Sequence, residues 1–115
     1  MSAAMDTAPI PLLEAVQGKG QAWAAIAPRY GVTNPDPPWK TSLAATCECL
    51  ATGGALAALE RRQAEDRLAE STYAAVPAPE RQLLALAHTL LRRGLLDEAD
   101  LARRMQAVRA RLLAS

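Results

Sequence analysis

Residues 79–101 read Pro-Glu-Arg-Gln-Leu-Leu-Ala-Leu-Ala-His-Thr-Leu-Leu-Arg-Arg-Gly-Leu-Leu-Asp-Glu-Ala-Asp-Leu, and this stretch decides the fold. Pro79 stands where a helix tolerates proline, in its first turn. Leu83, Leu84, Leu86, Ala87, Leu90 and Leu91 then supply a buried face, and the pattern predicts a helix running to about Arg93. Gly94 follows at the position where a helix needs a left-handed residue to stop. Asp97 has the chemistry of an N-cap, with Glu98 and Asp100 in the first turn of a further helix. Leu101, Met105, Val108 and Leu112 continue that helix at intervals of four, three and four, which makes one apolar stripe. Arg103, Arg104, Arg109 and Arg111 sit toward its C-terminal end, as the helix dipole favours.

Working back toward the N-terminus, Val76-Pro77-Ala78-Pro79 is a stop between helices. Residues 55–70 form a helix with Leu56, Leu59 and Leu68 apolar and a charged face over Glu60–Arg67. Local pairs such as Arg62 with Asp66 would support that face by ~0.2–0.5 kcal/mol each. Gly53-Gly54 breaks the chain before it. Residues 39–52 form a helix started by Trp39, with Leu43, Cys47 and Leu50 on one side. The segment Arg29–Pro38 carries Gly31, Asn34, Pro35, Pro37 and Pro38 and excludes regular structure. Residues 12–27 are compatible with a short helix weakened at Gly18 and Gly20, and Pro28 ends it. Pro9 and Pro11 leave residues 1–11 extended or disordered. The expected architecture is all-α: a small helical domain of four to five helices over residues 39–115, preceded by an extended, Pro-rich N-terminal arm over residues 1–38.

Composition agrees with helices and restricts function. The chain has 115 residues, 50% of them hydrophobic but only 3% aromatic, with no Phe. Ala and Leu favour helix, and the residues that fill strands are scarce. With 13 basic and 12 acidic residues, the net charge of +1 offers no broad field to a phosphate backbone. Nucleic acid is therefore not an expected partner. No apolar run approaches the ~20 residues that span a bilayer. Residues 1–11 lack a basic flank and an apolar signal core, so the cytoplasm is the default location.

Few residues offer chemistry. Cys47 and Cys49 are too few and too close for a disulfide framework and fit a reducing compartment. Two apart on a helix, they point ~200° away from each other and cannot chelate one ion. Both are expected to be small buried hydrophobes. His88, between Ala87 and Thr89, is expected at the surface or its boundary. No Ser-His-Asp or Cys-His set can be assembled, and Gly53-Gly54 lacks the Lys-Ser/Thr ending of a phosphate loop. Trp39, after Asp36-Pro37-Pro38, is an anchor on the helix bundle or a residue of a partner interface.

Several features stand together here. Pro38-Trp39 opens an Ala-rich helix, followed by a Gly turn, a charged helix and the Leu-rich helix Leu83–Arg93. The run Arg93-Gly94-Leu95-Leu96-Asp97-Glu98-Ala99-Asp100-Leu101 completes the series. The ensemble resembles the N-terminal helical domain of nitrile hydratase β subunits, a pattern shared with thiocyanate hydrolase small subunits and nitrile hydratase accessory proteins. The resemblance covers about residues 37–105. It implies a partner α subunit that holds Co(III) or Fe(III) in a Cys-x-x-Cys-Ser-Cys claw with partly oxidised thiolates. It also implies that an arginine of this domain hydrogen-bonds the oxidised sulfurs. Arg62 matches that position, with Arg61 as its near neighbour. A planar, permanently charged guanidinium suits sulfenate and sulfinate oxygens.

The sequence departs from the family in four places. The family's paired tyrosines match Ala78 and Pro79, and Tyr73 is out of register with them. The usual β-subunit opening is not visible in residues 1–11. The β-barrel domain of a full β subunit is absent, and so is the α-subunit claw.

These readings predict a subunit that binds no cofactor itself and is inactive alone. It would pack through Trp39, Arg61 and Arg62 on the α subunit, with a separate β-barrel subunit and with residues 1–38 as a wrapping arm. An accessory protein that helps load the metal, and an unrelated helical interaction domain, are the alternatives.

Overall fold

The computed structural model describes residues 6–19, 22–32 and 36–114. The expectations for residues 1–5, for Gly20 and for Asn34-Pro35 lie outside the described residues. The described chain is helical, with no strand: α1 (Pro11–Gln17), α2 (Trp23–Ile26), a 3-10 turn (Ala27–Tyr30), α3 (Lys40–Thr52), α4 (Ala58–Ala69), α5 (Ala78–Arg92) and α6 (Glu98–Ala114). Among the described residues, no helix is long and apolar enough to cross a membrane.

Local chemistry sets the helix ends. Pro11 and Pro79 sit at the starts of α1 and α5, where no N–H partner is needed. The Asp97 carboxylate caps α6 by accepting from the Asp100 N–H at 2.9 Å. α3 and α5 end in the same way. Gly54 and Gly94 take φ of 78° and 73°, and the following N–H groups of Ala55 and Leu95 donate to the carbonyls of Leu50 and Leu90 at 3.0 and 2.9 Å. These are Schellman-type closures, in which the left-handed residue is glycine because a Cβ is disfavoured there. The 3-10 turn places Arg29 and Tyr30 in regular structure at the start of the segment expected to have none, and Gly31 ends it.

α5 is the central element. Leu84 and Ala85 belong to a cluster with Ile10, Leu13, Leu68, Tyr73 and Val76. Leu86 and Leu90 belong to a second cluster with Leu43 and Leu56, against which Trp39, Cys47 and Leu50 also pack. Serving two clusters, α5 buries more of its circumference than a one-sided stripe would. Ala85, His88 and Thr89 are buried, whereas Leu83 is 41% exposed. α4 packs most extensively on α5, through Ala64 and Leu68, and leaves Leu59 exposed.

The stretch Ile10–Val16 does not stand apart as a free arm: Ile10 and Leu13 are 3% and 4% exposed inside the first cluster, and Val16 packs against it. Alternation of proline with apolar residues hid a core-forming turn. The apolar stripe expected on α6 lies on a helix that has no buried residue and, among the described residues, makes no extensive contact with another helix.

Candidate functional site

Arg62 lies on α4 and is exposed. By the helical step of ~100°, it points roughly 140° away from the mean direction of Ala64 and Leu68, which face the core. Its guanidinium makes no hydrogen bond or ion pair within the described residues, and none joins it to Asp66. One residue earlier, Arg61 is turned back toward the bundle and half-buried. It lines a cavity of about 380 Å³ between α3, α4 and α5, together with Cys47, Glu48, Glu65 and Leu86. The structure thus separates two neighbours that the sequence left interchangeable: Arg61 faces inward and Arg62 outward.

Trp39 caps the start of α3 and is half-buried. One side packs against the second cluster. It also lines a cavity of about 370 Å³ with Val16, Val76, Pro77, Glu80 and Leu83. The Glu80 carboxylate bounds that cavity and accepts from the Trp23 N–H at 2.6 Å, which ties α5 to α2. Trp39, Arg61 and Arg62 therefore do not converge on one pocket.

Cys47 is half-buried in the second cluster, but Cys49 is exposed, so only one of the two is part of the core. Both lie on α3, and the helix keeps their side chains on opposite sides. Among the described residues, no group of three His, Cys, Asp or Glu side chains gathers to hold a metal ion.

The most constrained polar group is one the sequence reading misplaced. His88, expected near the surface, is 1% exposed. Its Nε2 lies 2.7 Å from the Asp6 carbonyl and its Nδ1 lies 2.7 Å from the Tyr73 hydroxyl. A carbonyl can only accept, so Nε2 carries the proton, and the bare Nδ1 accepts from Tyr73. The rings meet edge to face at 5.5 Å. Burial favours the neutral imidazole and lowers its pKa, and Arg92 acts the same way, opposed by the backbone bond to Asp6 and the Asp6 charge. Burial likewise pushes the Tyr73 hydroxyl up to about 12, against the pull of Arg92.

Arg92 completes the same seam, because its Nη2 donates to the Ala8 carbonyl at 2.6 Å and more weakly to Pro9 at 3.3 Å. The Thr72 hydroxyl donates to the Thr7 carbonyl. Three side chains, those of His88, Arg92 and Thr72, therefore hold the backbone of residues 6–9 onto α5 and the turn that precedes it. A cleft of about 560 Å³ opens beside the seam, where Arg67, His88, Arg92 and Arg93 line one wall. Arg93 is engaged there with Glu60 of α4 at 2.7 Å. With both ring nitrogens hydrogen-bonded within the fold, His88 is a structural bridge.

The family model described as "Nitrile hydratase beta subunit, N-terminal" matches residues 18–114. No curated protein and no solved structure matches the chain. The matched region contains α2 to α6, with Trp39, Arg61 and Arg62. It leaves out residues 6–17, which supply Ile10 and Leu13 to the core and the carbonyls that His88, Arg92 and Thr72 hold.

Proposed function

This chain belongs to the nitrile hydratase β subunit N-terminal family, and from that premise we propose that it is a small, non-metal-binding subunit of a heteromeric nitrile hydratase-type enzyme. It packs on an α subunit whose Cys-x-x-Cys-Ser-Cys claw holds Co(III) or Fe(III), and a separate subunit supplies the β-barrel. The reaction is hydration of a nitrile to an amide, or hydrolysis of thiocyanate. The partner's metal would supply Lewis-acid activation of the substrate or of water. What this chain contributes is Arg62.

The supporting observation is the state of that side chain. Arg62 is carried on a helix fixed to the core through Ala64 and Leu68, and it is exposed with no partner among the described residues. A guanidinium so presented can direct two parallel N–H donors at the oxygens of sulfenate or sulfinate groups on another chain. Held there, it would orient the oxidised ligands and stabilise their charge, the kind of support whose loss costs 10–100-fold in metal affinity or activity. The half-exposed side of Trp39 offers a second, apolar contact, and Arg61 is turned inward, where it lines the cavity between α3, α4 and α5.

A second reading has one observation in its favour. Ala78 and Pro79 occupy the positions of the family's paired tyrosines, so the substrate-pocket hydroxyls are missing. An accessory protein that assists metal loading would not need them. Co-expression with a claw-bearing α subunit and a barrel subunit separates the two. An enzyme subunit stays in the purified active complex, and Arg62→Ala lowers its activity ~10–100-fold while complex and metal are retained. An accessory protein raises the metal content and is absent from the active complex. Full activity of an Arg62→Ala complex would remove Arg62 from the site.

A further inference from the structure

Among the described residues, none buries the C-terminal half of α6. Met105 is 38% exposed, Val108 43% and Leu112 72%. With Leu101 they follow each other at intervals of four, three and four, the spacing of a coiled-coil seam written d, a, d, a. The seam is ~17 Å long at 1.5 Å per residue. The first turn of α6 is tied down where the Glu98 carboxylate accepts from the Leu12 N–H at 3.1 Å. From Arg103 to Ala114 every residue is exposed.

Charge identifies what fits this seam. The positions flanking it from Met105 onward are Arg104, Arg109 and Arg111. Asp100 is shared between Arg103 and Arg104, and beyond it the helix carries four arginines and no acidic residue. A second copy of the chain would set arginine beside arginine along the seam, whether the helices ran parallel or antiparallel with the apolar residues in register. Such like-charge contacts disfavour self-pairing. A helix with the same apolar spacing and acidic flanks would meet both features at once.

We propose that residues 101–112 of α6 are a docking surface for an amphipathic helix of a partner protein whose seam is flanked by Asp or Glu. The contact is separate from that of Arg62 and does not depend on it.

The test is fluorescence anisotropy of the full chain with two labelled, helix-stapled peptides. Both carry Leu at the seam positions. One has Glu on its flanks, the other Lys. Met105→Glu with Val108→Glu removes the seam without touching the core, because both side chains are exposed, and circular dichroism checks that the fold is kept. The expected result is at least tenfold tighter binding of the acidic peptide. That binding is lost in the double variant and weakened by Arg109→Glu, and raised salt narrows the gap between the peptides. The proposal is overturned if both peptides bind equally, if neither binds, or if acidic-peptide binding survives the double substitution. It is also overturned if the chain alone sediments as a dimer that the double substitution dissolves.

Discussion

His88 shows what a single residue can hold together. Its two ring nitrogens join residues 6 and 73, far apart in sequence, and each bond satisfies a group that burial would otherwise leave unpaired. His88→Leu keeps much of the volume but strands the Tyr73 hydroxyl and the Asp6 carbonyl. At ~1–3 kcal/mol for each unsatisfied group, the variant should lose ~2–4 kcal/mol, read as a shift in the urea midpoint. The same residue sets a pH dependence. The folded pKa of His88 lies below its ordinary value of 6.5, so the unfolded chain binds the proton first. Its contribution is whole above pH 6.5 and declines as pH falls from there toward the folded pKa. His88→Leu should flatten that slope, and an unchanged slope would mean that His88 is not the titrating group. None of this was legible in the sequence. A lone His between Ala87 and Thr89 gives no sign of partners 82 and 15 residues away, and α5 was expected to bury only apolar residues. Arg62 was legible as a position in a resemblance, but its outward aim required the helix phase, which Ala64 and Leu68 fix.

At the scale of elements, sequence punctuation was read correctly and burial in part: Leu84, Leu86 and Leu90 are buried as expected, and Leu83 is not. Gly94, Asp97 and Pro79 each act locally, through a left-handed φ, a capping carboxylate and a proline at a helix start, so their neighbours suffice to predict them. Gly94→Ala should cost ~1 kcal/mol. A Cβ there meets no atom within 4 Å, so the whole loss comes from the left-handed backbone. Thermal unfolding of this variant should show the loss, and an unchanged midpoint would contradict the Schellman closure. Burial is set by neighbours that the sequence does not name. The stripe on α6 has good helical periodicity and is exposed, whereas Leu56 is 1% exposed after one Gly-closed helix and Leu96 is 38% exposed after the other. Periodicity states that a face is apolar and leaves open which chain covers it.

At the scale of the whole molecule, the fold is a frame around α5 with two apolar clusters and an N-terminal segment strapped across one of them. Proline density marked residues 1–38 as an arm, and within it Ile10 and Leu13 enter the first cluster. The family match begins at residue 18 and so belongs to the frame without its strap. What the frame presents outward is Arg62, and the proposed function stands on that presentation. Dicarbonyl labelling of arginines, resolved by peptide mass spectrometry, tests it on the chain alone and on the chain bound to a claw-bearing α subunit. The account predicts that Arg62 is readily modified in the free chain and at least tenfold protected in the complex, while Arg109 on α6 provides an internal reference. Failure of the two chains to associate, or a complex in which Arg62 reacts as fast as it does alone, would contradict the central claim.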